Sequence, residues 1–265
     1  MNTDTDWAGT GEMADEQLHG ALVWTVFAMA GLTLASLLRF SAPYGRHYAG
    51  TGWGPDMPNR TGWIVMELPT TAVFLCVYAV GQSAWHAVPL VFLGIWHCHY
   101  LNRSVIYPLR TRTTAKRMPV LVVCAGFVFN AINAYVNARF ISDIGQFGLA
   151  WLFDPRFLAG VAAFTAGLVL NVHSDNILLG LRKAGETGYA IPHGGAFRYV
   201  SCPNYLGELL EWAGWALATW SLAGLAFFAY TAANLVPRAR SNHAWYKARF
   251  ADYSACRKAL VPGVL

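Results

Sequence analysis

The chain has 265 residues, of which 55% are hydrophobic and only 12% charged, with 11 Trp, 12 Tyr and a formal net charge of +5. A mean hydropathy of +0.35, with long uncharged apolar runs, places it in the membrane class and excludes an ordinary soluble domain. A nucleic-acid module is excluded too, because the basic residues lie between the apolar runs rather than in one patch, and five cysteines without CxxC spacing (Cys76, Cys98, Cys124, Cys202, Cys256) give neither a disulfide framework nor a zinc site.

The N-terminal segment carries Asp4, Asp6, Glu12, Asp15 and Glu16 but no Lys or Arg. That is the wrong sign for a signal peptide, so the first apolar run is expected to remain as a span. With roughly 17 to 25 apolar residues per crossing, helices are predicted near 20–40, 63–83, 86–107, 118–138, 156–181, 204–218 and 221–236. The sixth and seventh meet at Ala218-Thr219-Trp220-Ser221, short for a turn, so one bent helix is the alternative. Charge decides for seven. With the N-terminus outside, 17 Lys and Arg fall in inside segments and only Arg139 and Arg156 outside, a strong positive-inside bias. The expected fold is an all-α integral membrane protein, a seven-transmembrane helix bundle with the N-terminus outside and the C-terminus cytoplasmic. It forms one domain: an acidic external N-terminus (1–19), the bundle (20–236) with a cytosolic loop near 182–203, and a basic cytosolic tail (237–265). Aromatics interleave the tail (Trp245, Tyr246, Phe250, Tyr253), which suits an amphipathic segment on the inner surface.

Against this apolar background, the interval 171–211 concentrates polar side chains. Asn171, Asp175 and Arg182 fall close together on one helix face, and Asn204, Glu208 and Glu211 form an i, i+4, i+7 face on the next. Two such faces joined by a Gly-rich loop can line one pocket; the simpler alternative is that Asp175 and Arg182 pair with each other at the membrane boundary. Ionisable residues at membrane depth mark function by default. Gly185, Gly188, Gly194 and Gly195 are not a GxGxxG in a βαβ setting, so no Rossmann domain is indicated. Arg182, Lys183, Arg198, Arg238 and Arg240 supply cations for an anionic ligand such as a nucleotide diphosphate, although basic inside loops also simply set topology.

Upstream, Glu67 stands alone in an apolar span, and Pro69 two residues on loosens the backbone around it. It reads either as a hydrogen-bond donor in its acid form or as a carboxyl satisfied by a neighbouring helix. Tyr100, Arg103 and Tyr107 share one face of the third helix. A phenol there can donate to a carbonyl, although interfacial Tyr is common in any membrane protein. Asn130, Asn133 and Asn137 stripe the fourth helix at the spacing of interhelical hydrogen bonds. The pairs His97/His99 and His173/His193 lack a carboxylate or Cys companion at ligand spacing, so no metal is expected. By topology, Glu67, Tyr100, Arg103, Asn171, Asp175, Glu208 and Glu211 lie toward the cytoplasmic side, which implies a cavity open to soluble cofactors.

NVHSD, then LRKAGETGYAIPHGGAFRYVSCPNYLGELLEWAGWALATWSLAGLAFF, then HAWYKARFADYSACRKALVPGVL closely resemble the C-terminal half of the steroid 5α-reductases, and WIVMELP and HYLNRS resemble that family's substrate-side motifs. About two-thirds of the chain is covered. The resemblance implies a membrane oxidoreductase that uses NADPH to reduce the 4,5 double bond of a 3-oxo-Δ4-steroid. It implies Glu67 and Tyr100 as the catalytic pair at the 3-oxo group, with Arg103, Tyr107, Asn171, Asp175, Arg182, Tyr189, Asn204, Glu208, Glu211 and Arg238 holding the cofactor. Met66, where family members can carry Gln, and Asn242, where a His can occur, depart from the pattern. Expected partners are a steroid or steroid-like lipid and membrane lipids, with no nucleic acid and no obligatory protein partner.

This chemistry is physically consistent. Hydride addition to the β-carbon of an enone builds charge on the carbonyl oxygen, where donors lower the barrier. Enoyl, sterol and polyprenol reductases share the C-terminal pattern, and isoprenylcysteine methyltransferases share it more distantly with S-adenosylmethionine in place of NADPH. Glu67 and Tyr100 together argue for enone reduction. A transporter is disfavoured by the small helix count without a repeat.

Overall fold

The computed structural model describes residues 4–48, 50, 52–111, 116–181 and 188–265. The described residues form seven helical rods. α1 is Asp4–Leu37, α2 is Asn59–Ala79, and α3, Ala87–Leu101, continues through a π turn at Asn102–Ile106 into α4, Tyr107–Arg110. α5 is Val120–Arg139, closed by a second π turn at Phe140–Ile144, followed by α6, Pro155–Gly180, α7, Pro203–Thr219, and α8, Leu222–Arg249. Four stretches, Asp15–Leu37, Asn59–Ala79, Val120–Ile144 and Pro155–Gly180, are long and apolar enough to cross a membrane.

Two boundaries differ from the sequence expectation and one open alternative is decided, each for a local reason. α1 starts well before residue 20, and its acidic stretch is held by α5: Arg139 Nε donates to Asp15 Oδ2 at 2.8 Å and the Tyr135 hydroxyl to Asp15 Oδ1 at 3.2 Å. α7 and α8 are separate helices rather than one bent helix. Trp220 takes a left-handed conformation at φ 48°, which ends α7, and Ser221 caps α8 by accepting from the Gly224 N–H at 2.9 Å. α8 does not stop near 236 but runs through Pro237 to Arg249. The missing N–H of Pro237 is tolerated because its neighbours Leu235 and Ala239 are packed against other rods.

The tail is accordingly not a separate amphipathic segment. Its first part continues α8, and the rest folds back on the loop before α7 with strand-like backbone bonds: Ser201 N–H to Lys258 O at 2.8 Å, Lys258 N–H to Tyr199 O at 3.0 Å and Cys202 N–H to Ala259 O at 3.1 Å. Arg257 adds a bond to Pro192 O at 3.0 Å.

A two-stranded antiparallel ribbon, β1 (Asp56–Pro58) and β2 (Arg117–Pro119), ties the start of α2 to the start of α5, with Met57 opposite Met118. Asp56 locks it by accepting from both Tyr48 and Arg117.

The closest backbone approach joins α6 and α7. A Cβ on Gly167 would lie 2.5 Å from the Gly207 carbonyl, and one on Gly207 would lie 2.6 Å from the Asn171 amide. Gly160 and Gly214 meet the same way one repeat further along. Small residues let helices approach in lipid, where packing rather than the hydrophobic effect drives association. This contact brings the polar faces of the two helices together. Around it lies an aromatic core in which Trp96 contacts Phe74, Trp215 and Trp212 at ring-centroid distances of 4.5, 5.1 and 5.6 Å.

Candidate active site

The two polar faces predicted on α6 and α7 meet each other and also α3. Asn171 Nδ2 donates to the Asn204 carbonyl at 2.9 Å, and Asn204 Nδ2 to Asp175 Oδ1 at 3.1 Å. Arg103, in the π turn after α3, bridges both helices: its guanidinium lies 3.7 Å from Asp175 and 3.8 Å from Glu208. It also sits over the rings of Trp63 and Tyr107, at 4.8 and 5.5 Å. The π turn places an extra residue in the helix just where Arg103 reaches across, a common use of such turns at functional sites. Arg182, expected as a partner for Asp175 or for the cofactor, lies outside the described residues.

Glu211 is the last member of the α7 face and the deepest, with no exposed surface. The His99 Nδ1–H donates to its Oε2 at 2.6 Å. The other oxygen, Oε1, is buried with no hydrogen-bond partner among the described residues. On the sequence alone His99 had no carboxylate companion; its companion lies 112 residues downstream, too far for a spacing argument to find. The next residues on each helix also touch: Tyr100 stacks on Trp212 with centroids 5.6 Å apart and planes 30° apart. Two contacts on consecutive residues thus clasp α3 to α7.

Tyr100 is held by that clasp and by Trp96, whose ring centre is 4.8 Å away. Phenol and clasp are buried, Tyr100 at 3% exposure. Glu67, on α2, is buried as well, and its backbone carbonyl accepts from the Ser104 hydroxyl at 3.4 Å. Side-chain donors reach the carbonyls just before Pro69: Asn130 Nδ2 donates to Met66 O at 2.8 Å, and the Thr70 hydroxyl to Glu67 O at 2.5 Å. Asn130 Nδ2 also approaches Glu67 Oε2 at 3.4 Å. Asn130 and Asn137 of the α5 stripe therefore make interhelical bonds, the latter by accepting from Trp215 Nε1–H at 2.8 Å, whereas the side-chain bond of Asn133, accepted from Asn137, stays within α5. Met66 points away from this group and lies over Gly126, where a Cβ would meet its sulfur at 2.3 Å.

Next to this buried group opens a cavity of about 220 Å³. Its wall includes five of the predicted cofactor residues, Arg103, Tyr107, Tyr189, Asn204 and Arg238, whereas Asn171, Asp175, Glu208 and Glu211 are not part of the wall. The wall also contains residues that the sequence did not single out: Tyr44, Arg46, His47, Lys116, Tyr205 and Tyr246. Arg46 and Lys116 had counted only as topology charges. Among the described residues, four cations, Arg46, Arg103, Lys116 and Arg238, line the cavity and no carboxylate does. Aromatic faces accompany them: Arg238 lies 4.4 Å from the Tyr44 ring centre and donates to the Tyr205 hydroxyl at 3.1 Å. Loss of water pushes the Tyr44 phenol up to about 12, so it serves as a neutral hydrogen-bonding ring. Burial lowers His47 below the ordinary histidine range; its neutral ring bonds Asn242 Oδ1 at 3.1 Å. A cationic, aromatic, carboxylate-free wall suits an anionic ligand with aromatic ends. Among the described residues there is no group of His, Cys, Asp and Glu able to hold a metal ion.

A family model described as 3-oxo-5-alpha-steroid 4-dehydrogenase matches residues 116–265. The steroid 5-alpha-reductase DET2 of Solanum lycopersicum is 42% identical over 252 residues, covering 94% of this chain and 98% of the relative. The chain belongs to the 3-oxo-5-alpha-steroid 4-dehydrogenase family. Mammalian relatives agree: 3-oxo-5-alpha-steroid 4-dehydrogenase 1 of Bos taurus is 38% identical, covering 95% of this chain and 98% of the relative, and that of Homo sapiens is 39% identical, covering 94% and 96%. Members of this family are oxidoreductases acting on a CH–CH bond.

Proposed function

We propose that this chain is a membrane-embedded reductase that saturates the 4,5 double bond of a 3-oxo-Δ4-steroid or steroid-like lipid, with NADPH as reductant. One observation supports the reading above others: Glu67 and Tyr100 are both buried, beside a cavity whose described lining holds four cations and no carboxylate. The relatives named for this activity match the chain along nearly its whole length.

NADPH, when bound, supplies the hydride, and Arg103, Tyr107, Tyr189, Asn204 and Arg238 of the wall, together with Arg182, would hold it, while Asn171, Asp175 and Glu208 would position Asn204 and Arg103 from behind the wall and Glu211 would fix α7 to α3 through His99. The Tyr100 hydroxyl and the acid form of Glu67 donate hydrogen bonds to the 3-oxo group as charge develops there. Each such donor is worth about 3 to 4 kcal/mol if it behaves as an oxyanion-hole donor. With NADPH bound, a hydride would add at C5 and a solvent-derived proton at C4, giving the saturated ketone and the oxidised nucleotide. The buried aromatics Trp96 and Trp212 hold the Tyr100 ring and keep bulk water from the developing enolate.

In this reading all seven rods cross the membrane, with the N-terminus outside. The Asp15 and Arg139 contact then closes the outer end, and Arg46, Lys116 and Arg238 open the cavity to cytosolic nucleotide while the apolar substrate arrives from lipid. The test is to incubate purified protein with NADPH and a 3-oxo-Δ4-steroid and to compare loss of the reduced nicotinamide with formation of the 5α-product. One-to-one conversion is expected. No oxidation with several such steroids, together with methyl transfer from S-adenosylmethionine, would overturn the proposal.

A further inference from the structure

One buried titratable pair beside the proposed site takes no direct part in the chemistry. Glu211 has no exposed surface and His99 is 3% exposed. The His99 Nδ1–H bond to Glu211 Oε2, at 2.6 Å, ties α3 to α7, while Oε1 has no partner among the described residues. The stem of Glu211 lies flat against α6, since a Cβ on Gly167 would meet its Cγ at 2.9 Å and its amide at 2.5 Å. The carboxylate therefore has a fixed place, and His99 is held to it. Two well-packed apolar side chains would stabilise the fold as much as such a buried pair, because both of its members lose their water. What the pair adds over them is direction, since a hydrogen bond to an ionisable group is short and angular whereas ring contacts slide readily.

That direction is applied next to the donor. Tyr100 follows His99 in α3, and Trp212 follows Glu211 in α7. The His99 ring stands across both, 4.9 Å from the Tyr100 ring centre at 80° and 4.7 Å from the Trp212 ring centre at 67°. A phenol whose proton is meant for a substrate oxygen is not aimed by an acceptor in the protein, so the packing of its ring sets its direction. The neighbours of that ring are anchored on two sides. Trp96, one turn back, donates from Nε1 to Thr70 O at 2.9 Å and so fixes Tyr100 against α2, the helix of Glu67. His99 fixes it against α7, the helix of Asn204 and Glu208.

We infer that His99 is a positioning residue for the reduction, held by Glu211 so that the Tyr100 hydroxyl meets the 3-oxo group in register with the nucleotide side of the site. The inference rests on the proposed reduction and on Tyr100 as a donor in it.

A double-mutant cycle on kcat tests it. His99→Ala/Glu211→Leu removes both partners and strands no charge, and it is compared with wild type both with Tyr100 in place and in a Tyr100→Phe background. A displacement of about 1 Å costs about 100-fold in rate. With the Tyr100 hydroxyl present, kcat is expected to fall about 100-fold while the NADPH dissociation constant stays within about threefold. In the Tyr100→Phe background, the same double change is expected to lower kcat by less than about threefold, because the group it positions is already gone. Equal losses in the two backgrounds would mean that the pair acts on the fold at large and would overturn the inference. Glu211→Gln is the second variant, since it keeps the size of the side chain and an acceptor for the His99 N–H. Its kcat should stay within about tenfold of wild type, and its loss too should vanish in the Tyr100→Phe background; a rate as low as that of the double variant, at an unchanged melting temperature, would contradict the role assigned to the directional bond. A wild type that reduces no 3-oxo-Δ4-steroid overturns the proposed reaction and this inference with it, whereas an active wild type with losses independent of background overturns the inference alone.

Discussion

Replacing Tyr100 with Phe removes one oxygen from the centre of the proposed site and little else. The ring is buried at 3% exposure between Trp96 at 4.8 Å and Trp212 at 5.6 Å. Phe fills the same volume against the same faces, so no cavity is created and the α3 to α7 clasp keeps both contacts. What disappears is a donor aimed at a carbonyl oxygen that gains charge during hydride addition. Loss of one such donor costs about 2.7 to 4 kcal/mol, so kcat should fall about 100- to 1,000-fold. NADPH affinity should stay within about threefold, because the cations of the cavity wall are untouched. The assay combines steady-state kinetics in detergent or nanodiscs with equilibrium NADPH binding and thermal unfolding of the same preparations. If the nucleotide dissociation constant rises by the same factor as the rate falls, Tyr100 belongs to the cofactor's side and the reasoning is refuted.

Three other perturbations probe the architecture. His99→Ala strands the fully buried Glu211 carboxylate, and breaking such a pair costs about 3 to 5 kcal/mol; thermal unfolding should show a large loss that His99→Ala/Glu211→Leu partly restores, and an equally unstable double variant would contradict a charge-based role. Gly207→Ala places a methyl group 2.6 Å from the Asn171 amide, which must push α6 and α7 apart; about 1 to 3 kcal/mol of stability and much of the NADPH affinity should be lost, whereas Gly188→Ala serves as an exposed-loop control for the binding assay. Asp154 caps α6 and is held at about 2 by the Arg156 side-chain hydrogen bond and by the Arg156 N–H. Because that value is depressed, its contribution should be complete above about pH 4 and vanish as pH falls through the folded value. The melting difference between wild type and Asp154→Ala should therefore be flat near neutrality and shrink in acid; a difference that grows in acid would reverse the assigned sign.

Apolar runs and their lengths carried most of the helices, because helix length is a local property. The polar faces of α6 and α7 were legible for the same reason: 171, 175, 204, 208 and 211 repeat at helical spacing. What that spacing could not give was their partners. His99 looked unaccompanied because Glu211 reaches it only through the packing of α3 on α7. Arg46 looked like a topology charge because its aromatic surroundings come from α8 and from the loop before α7. The fold-back of the tail depends on backbone bonds between residues more than 50 apart, and no side-chain pattern encodes those. The Gly160/Gly167 and Gly207/Gly214 pairs carried a readable signal, small residues seven apart on consecutive apolar helices, which a search for helix-contact motifs would have found. Glu67 and Tyr100 sit on different rods and share no periodicity, so only the family resemblance joined them.

The central claim is that hydride passes from the nucleotide to C5 while Glu67 and Tyr100 hold the 3-oxo group. It is tested most directly with NADPH deuterated at the transferring position of the nicotinamide, a 3-oxo-Δ4-steroid and mass spectrometric or NMR location of the label. The account predicts one deuterium at C5 of the saturated ketone and a solvent-derived proton at C4. Deuterium at C4, or none in the steroid while the double bond is reduced, would contradict it.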